Sequence, residues 1–581
     1  MYHQGVKKRI VTRSLSNQRG QFGDISPLLE RLFLARGITS SSELDRSLAK
    51  LPSPWLLSGM ETLVGRLITA IKQQQAICVV ADFDADGATS CAVAMQGLKL
   101  MGATQLSFVV PNRFEYGYGL TPEIVELVKQ QQADVIITVD NGISSIEGVL
   151  FAKQAGIDVL ITDHHLPGGQ LPDADAIVNP NLPDDAFPSK AIAGVGVIFY
   201  VLMALRARFR EQGWFAAQAL PEPNLARLLD FVALGTVADV VALDGVNRTL
   251  VFQGLMRIRA GKAHVGLLAL IEATGKQAEK LTAADLGFSL GPRLNAAGRI
   301  DDMALGIRCL LTDDPQQAKN IALKLEELNN ERRDIEGQMK FAALALLEDS
   351  HALENNHLSS GVCLYDADWH QGVIGILAAR IKDRLHRPVI AFAPAGKDVI
   401  KGSARSIPGL HIRDALSDVA AAHPKILSKF GGHAMAAGLT IALHDYPAFA
   451  LAFNEVVEKR LAAVDLEQTI MVDGELSEPE MTVALADGLE QAATWGQGFP
   501  EPVFAGIFEV VQVRIVGQHH LKWVLRKPGG QLLLDAIAFF VDTPEQWQGT
   551  RKITAAYKLD VNEYRGNRSV QLLLKYFETQ L

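Results

Sequence analysis

Residues 76–87 read Ala76-Ile77-Cys78-Val79-Val80-Ala81-Asp82-Phe83-Asp84-Ala85-Asp86-Gly87. The first six form a short apolar run, and three carboxylates at alternate positions follow at once. A helical pattern sets in from about Ala88. Such a run predicts a strand buried on both faces, as in a parallel sheet covered by helices. In an open α/β sheet, ligands bind beyond the carboxyl ends of the strands. Asp82, Asp84 and Asp86 stand at such an end. They repel one another, and the cluster is costly unless cations neutralise it.

The pattern repeats downstream. Residues 105–110, 133–139 and 157–162 are further strand-like runs with helical stretches between them. The second of these ends in Asp140-Asn141-Gly142 and the third in Asp163-His164-His165. A later apolar stretch, residues 232–238, ends in Asp239 and is grouped with the strands. Neighbouring strands would bring carboxylates and imidazoles to one rim. A lone Asp after a strand is usually a helix cap or turn former. Type, spacing and strand-end position together favour metal ligands here. Oxygen and imidazole donors without thiolates suit Mn²⁺ or Mg²⁺ better than zinc. Two such ions about 3.5–4 Å apart clamp the attacking and leaving oxygens of a phosphoryl centre, and one lowers the pKa of a water. The candidate ligands are Asp82, Asp84, Asp86, Asp140, His164 and Asp239, with Asp140 as the bridge. His165 is placed to support a ligand, donate a proton or contact phosphate.

The bulk properties set limits. A chain of 581 residues predicts three or four domains. A hydrophobic fraction of 48% and a charged fraction of 21% supply several cores. The net charge of -9 argues against a uniformly basic DNA-coating protein, yet a basic groove in an acidic surface remains compatible with it. Four cysteines with no CxxC pair argue against a disulfide framework or a thiolate zinc site, and fit a reducing compartment. No apolar run approaches the roughly 18 residues of a membrane span, and the basic start lacks a signal core. A soluble, cytoplasmic, monomeric protein is expected.

Residues 316–349 are rich in Ala, Leu, Glu, Lys and Gln, and Pro315 precedes them, which predicts one long helix. A second α/β unit follows, with strands at 361–365 and 388–392 and a helix at 373–385. The C-terminal part turns mostly β, at 504–516, 521–526, 531–540, 553–561 and 570–577. Lys527-Pro528-Gly529-Gly530 and Tyr564-Arg565-Gly566-Asn567 read as turns. Five strands in a small domain suggest a barrel of OB type. Two motifs are decoys. Gly287-Phe288-Ser289-Leu290-Gly291 matches a nucleophile elbow, but residues 282–286 look helical where that motif needs a strand. Gly194-Val195-Gly196 lacks the third glycine and the preceding strand of a dinucleotide fingerprint.

These residues resemble the DHH phosphoesterase family. Asp163-His164-His165 is similar to its signature. Asp82 to Gly87 resembles its first motif, Asp140 its second and Asp239 its fourth. Gly291 to Arg299, Trp369-His370-Gln371-Gly372 and Gly431-Gly432-His433 resemble an exonuclease branch of the family. The resemblance covers nearly the whole chain. It implies a parallel-sheet catalytic lobe and a smaller α/β DHH-associated lobe joined by a long helix, followed by the barrel. It also implies a two-metal exonuclease that degrades single-stranded DNA 5′ to 3′ in recombination and repair, with Asp163 and His165 as catalytic residues. A single-strand-binding protein and a helicase are the implied partners. Many family members carry His four residues before the middle Asp of the first motif. Val80 stands there in this chain, so Asp82 or water would take its place.

The expected limits are 1–55 for an N-terminal segment, 56–313 for the catalytic domain and 314–350 for the connecting helix. The second lobe takes 351–464 and the barrel 465–581. Helix N-termini bind phosphate, and His370 to Gly372 and Gly431 to His433 are each read as preceding a helix. Ser403, Arg405 and Arg113 resemble residues that hold a 5′-terminal phosphate, and Arg suits that task. Arg293 and Arg299 are candidates for phosphate or for structural ion pairs. Lys522, Trp523, Tyr557, Tyr564 and Arg565 could combine stacking with charge, as single-strand binders do; Trp523 is as good a core candidate. The two lobes would leave a groove for one strand and exclude a duplex. The rival readings are a DHH phosphodiesterase for short oligonucleotides or cyclic dinucleotides, and a non-catalytic DNA-binding scaffold.

Overall fold

The computed structural model describes the chain apart from residues 1–7, 16–19, 113–114, 350–358, 428, 463–466 and 581. Arg113 and the expected boundaries at 350/351 and 464/465 therefore lie outside the described residues.

The first lobe is built on five parallel strands in the order Leu106–Val109, Ile77–Ala81, Val135–Val139, Asp158–Thr162, Ala176–Val178. The strands Ile77–Ala81 and Val135–Val139 are buried along their whole length, as their largely apolar sequences require; the one polar side chain, Thr138, donates to the Asn141 carbonyl at 2.7 Å. Ile77–Ala81 has a later strand on each side, so the winding reverses beside it. That reversal opens a crevice at its carboxyl end. Helices Ala85–Leu100, Gly194–Glu211 and Leu229–Ala238 cover one face and form the main core with it.

Two readings from sequence are corrected here. Residues 232–238 belong to the helix Leu229–Ala238, and Asp239 is its C-terminal cap. Its residues from Leu229 to Thr236 are buried, so apolar side chains spread around the helix without a solvent-facing polar stripe, and a short apolar run of this kind cannot be told from a buried strand by periodicity. Gly431-Gly432-His433 does not precede a helix. It forms the end of the strand Lys429–Gly432 and the turn into the strand Ala436–Ala442. Gly432 has φ of +143°, and a Cβ there would lie 2.4 Å from the Ala436 carbonyl oxygen, so only glycine fits that turn.

The helix Pro315–Asp349 joins the lobes. At about 1.5 Å per residue it is long enough to serve both. Ala322, Leu325 and Leu328 pack into the first core, and Met339, Ala343 and Leu347 into the second. The second lobe carries a mixed sheet in the order Lys429–Gly432, Ala436–Ala442, Val399–Arg405, Val389–Pro394, Val362–Tyr365. The C-terminal strands Phe504–Val516, His520–Arg526, Leu533–Ala538, Lys552–Tyr564 and Asn567–Thr579 close into a five-stranded barrel. Trp523 and Tyr557 are fully buried inside it and take no part in surface stacking; Trp523 meets Phe577 edge to face at 5.4 Å. Tyr564 stays exposed with the Arg565 guanidinium 5.2 Å from its ring. The N-terminal segment is tied to the start of this region. Strand Lys8–Thr12 pairs in parallel with Gln468–Val472, and Arg36 grips Asp473 through two bonds of 2.9 and 3.0 Å.

Candidate active site

The crevice beside Ile77–Ala81 collects the acidic residues. Asp84 caps the helix Ala85–Leu100, its carboxylate accepting from the Gly87 N–H at 3.0 Å. A Cβ on Gly87 would come within 2.4 Å of the Asp82 carbonyl oxygen, so the glycine lets strand and helix meet at so sharp a corner. Asp86 lies in the first helical turn, fully enclosed. Its two oxygens accept from the N–H groups of Gly194 at 2.7 Å and Val195 at 3.0 Å, at the start of the helix Gly194–Glu211. Oriented amides of this kind hold a carboxylate in place. Asp140 follows the strand Val135–Val139 with φ of +63°, a left-handed conformation that Asp tolerates and that turns its side chain into the crevice. Asn141 braces the two strand ends by donating to the carbonyls of Val80 at 3.0 Å and Val139 at 2.9 Å.

His164 lies among them. Its Nε2 is 3.0 Å from Asp140 Oδ1, 3.5 Å from Asp239 Oδ2 and 3.9 Å from Asp86 Oδ2. Asp140 Oδ1 and His164 Nε2 are both buried and make no hydrogen bond of proper geometry. Buried polar atoms left so are costly. Three overlapping groups each bring their ligand atoms within 4.8 Å of one another: Asp82, Asp84 and Asp140; Asp86, His164 and Asp239; and Asp140, His164 and His165. Oxygen-rich donor sets that share members in this way fit a pair of hard divalent cations. Val80 is buried in its strand and offers no ligand, while Asp82 is buried at the strand end beside Asp84.

Electrostatics follow from this crowding. Burial, then the charges of Asp239 and Asp84, push the Asp86 carboxyl well above its ordinary value. Burial and neighbouring carboxylates, Asp86 first among them, do so for Asp140. Burial, then Asp84, lifts Asp239 to about 7. Burial, reinforced by His165, lowers His164 to about 4, which leaves it neutral and able to bind a metal. His165 goes the other way. Burial opposes its charge, but the bond from its Nδ1 to Asp163 Oδ1 at 2.7 Å and the surrounding carboxylates outweigh that and raise it to about 9. Asp163 is held low despite its burial, by His165 and by backbone donors that include Ile143 at 2.9 Å. Asp163 thus sits behind His165 as its anchor.

The remaining candidates sort by place. His433 stacks against His165 with ring centroids 6.2 Å apart, so the second lobe reaches the site. Ser403 faces Gly438 across one strand pair, and Gly438 faces Gly431 across the next, which puts Ser403 and Gly431 in one row. Arg405 donates to Ser403 Oγ at 3.1 Å. A Cβ on Gly375, in the first turn of the helix Ile374–Leu385, would stand 2.9 Å from the Arg405 guanidinium, so that helix end, Ser403 and Arg405 share one spot. His370 precedes the helix, with its Nδ1 accepting from Gly372 N–H at 3.1 Å. Arg299 donates to the Gly372 carbonyl at 3.1 Å and links the lobes. Arg293 is ion-paired with Glu326 on the long helix, its structural alternative. Ser289 of the elbow decoy lies in a wide helical turn, Leu286–Leu290, without the required strand.

Some participants escaped the sequence reading. Gly194, set aside as a failed fingerprint, lies so close to Asp140 that a Cβ would be 2.6 Å from the Asp140 Cβ. Tyr118 brings its hydroxyl to 3.3 Å from His165 Nδ1. Asn181 donates to the His164 carbonyl at 2.6 Å and Asn179 to that of His165 at 2.9 Å. The Asn-Pro-Asn triplet after the strand Ala176–Val178 was the available signal for the last two.

Comparison with known proteins agrees with this geometry. The N-terminal domain of the DHH family matches residues 76–236, the DHHA1 domain matches 358–459 and the RecJ OB domain matches 472–576. The chain is 53% identical to the single-stranded-DNA-specific exonuclease RecJ of Dickeya dadantii, over 94% of this chain and 95% of that one. It is 51% identical to the Escherichia coli protein of the same name, over 95% and 96%. Among solved structures it matches RecJ in complex with Mn²⁺ from Thermus thermophilus, with a TM-score of 0.77 and 28% identity over 97% of this chain and 80% of that chain. It also matches an exonuclease RecJ bound to manganese, with a TM-score of 0.58 and 33% identity over 72% and 99%. Architecture and kinship coincide, and the chain belongs to the RecJ branch of the DHH family.

Proposed function

We propose that this protein is a metal-dependent exonuclease that degrades single-stranded DNA from its 5′ end and releases mononucleotides, in recombination and repair. The buried, unsatisfied pair Asp140 Oδ1 and His164 Nε2, ringed by Asp82, Asp84, Asp86 and Asp239, carries this reading. Its relatives' names supply the substrate. Asp140 takes part in two of the donor groups, so it is the carboxylate that would be shared between the two cations. When bound, two divalent cations stabilise the charge of the phosphoryl centre and acidify a water.

The chain's own groups do the rest. Asp86 is oriented by the helix amides, and neutral His164 offers Nε2 as a donor. His165, protonated at neutral pH and anchored by Asp163, either contacts a phosphate oxygen or delivers a proton to the leaving oxygen. His433, Gly431, Gly432, Ser403, Arg405, His370 and Arg299 face the DNA strand from the second lobe and the lobe junction; Arg113 is added as a 5′-phosphate contact on the family resemblance alone. We keep 56–313, 351–464 and 465–581 as domain limits; each range encloses one of the matched regions, 76–236, 358–459 and 472–576. No helix among the described residues is long and apolar enough to cross a membrane. We place the enzyme in the cytoplasm as a monomer, working beside a single-strand-binding protein and a helicase.

The test is a long single strand labelled at its 5′ end, beside a 3′-labelled copy, with Mn²⁺, Mg²⁺ or chelator. Early release of the 5′ label as mononucleotide, abolished by chelator, is expected. Early loss of the 3′ label would reverse the polarity, and binding without cleavage would favour the scaffold.

A further inference from the structure

The helix Gly291–Ile300 forms one wall of the site, and four contacts pin it there. A Cβ on Gly291 would meet the Ala238 Cβ at 3.0 Å, one residue before Asp239. Asn295 Oδ1 accepts from the Ala85 N–H at 2.8 Å, within the first acidic motif. A Cβ on Gly298 would stand 1.9 Å from the Phe83 carbonyl oxygen, and Arg299 bonds to the second lobe. The wall thus runs from Asp239, past Asp82–Asp86, to the other lobe.

This helix is entered through the wide turn Leu286–Leu290, with five residues in π geometry. Such turns are costly and recur at functional positions. Here the turn packs on the end of the helix Leu229–Ala238: a Cβ on Gly287 would be 3.1 Å from Val237 Cγ1. Leu286 and Leu290 point inward and are fully buried, whereas Phe288 between them is 86% exposed. It is the most exposed large apolar side chain among the described residues. Two residues beyond the end of the helix Leu229–Ala238, Val240 is 63% exposed and holds φ of +64°, a strained value for a β-branched residue. The turn that carries the exposed ring thus abuts the end of the helix capped by Asp239, and the strained valine is the next residue along the chain.

Building on the exonuclease reading, we infer that Phe288 is a substrate-positioning residue. It stacks on a nucleobase of the single strand while the neighbouring phosphate lies over the acidic cluster. A nucleic acid suits this spot because each phosphate carries a flat base within one nucleotide's reach, and aromatic platforms hold bases without regard to sequence. A base paired within a duplex could not offer a free face to the ring, so the same contact contributes to single-strand preference.

The test uses 5′-phosphorylated single strands, each with one abasic residue at a successive position, on wild type, Phe288→Ala and Phe288→Trp. On the intact strand, Phe288→Ala should raise KM by about 5- to 150-fold, the worth of one base stack, with a much smaller change in kcat. Phe288→Trp should keep the wild-type KM. One abasic position should raise the wild-type KM by a similar factor and add nothing in Phe288→Ala. An unchanged KM in Phe288→Ala, or abasic penalties as large in that variant as in wild type at every position, would overturn the inference. If wild type degrades no strand with Mn²⁺, it is the exonuclease reading that fails. The same series, read as equilibrium binding by fluorescence anisotropy, then decides the stack by itself.

Discussion

Asp163 and His165 form a pair in which one residue sets the charge of the other. Burial alone would drive His165 neutral, and the Asp163 bond keeps it protonated up to about pH 9. Activity that needs the imidazolium should fall as pH rises through that value. In Asp163→Asn the supporting charge is gone, so the alkaline limb of a kcat profile should move to lower pH. The rate should drop about 10- to 100-fold, as for other groups that orient a site. An unmoved limb would separate His165 from the proton-dependent step. Gly194→Ala tests a different dependence. Its methyl group would collide with Asp140, and overpacking of this kind costs about 1–3 kcal/mol. Calorimetric titration should show weakened Mn²⁺ binding in that variant. Asp82, Asp84, Asp86, Asp140, His164 and Asp239 could be named from sequence because they stand at or just beyond the ends of apolar runs. Gly194, Tyr118, Asn179 and Asn181 could not, because their roles arise only where distant segments meet.

At the level of elements, the parallel strands were readable because a strand buried on both faces is apolar along most of its length. The crossing of Ile77–Ala81 between two later strands explains why Asp82 and Asp140 converge. The helix Leu229–Ala238 was misread for the same physical reason that the strands were found: a fully enclosed helix loses its polar face. The hairpin around Gly431 was misread as a helix start because glycines before small residues signal a turn and leave the type of the next element open. Its strands nonetheless place Gly431 in the same row as Ser403, next to Arg405. If that sheet holds the 5′ end, Arg405→Ala should raise KM for a 5′-phosphorylated strand by roughly 10-fold or more, as the loss of a charge-assisted contact. It should matter little for a 5′-hydroxyl strand. Equal effects on both substrates would remove Arg405 from end recognition.

Over the whole molecule, stability and metal binding are linked. In the metal-free protein Asp86, Asp140 and Asp239 hold protons more tightly than they do unfolded, Asp239 up to about 7. Their contribution to stability is present below the ordinary carboxylate value and is lost as pH rises through the folded value. Mn²⁺ should therefore raise Tm more at pH 8 than at pH 5, where protons compete for the ligands. A gain independent of pH would count against the carboxylate ligand set. The N-terminal segment and the barrel region are locked by Arg36 and Asp473, whose side chains are each 1% exposed. Arg36→Ala removes the two side-chain bonds of a buried carboxylate that then keeps Arg13 at 3.6 Å and the Val503 N–H at 3.0 Å, so it should destabilise that junction by about 1–3 kcal/mol, seen as a lower first unfolding transition. Hydrolysis depends on two cations that Asp140 would share. Mn²⁺ stoichiometry and single-strand degradation, measured side by side in wild type and Asp140→Ala, test that dependence most directly. Two ions bound in wild type, with both binding and degradation collapsing in the variant, is the predicted result. Full nuclease activity in Asp140→Ala would contradict it.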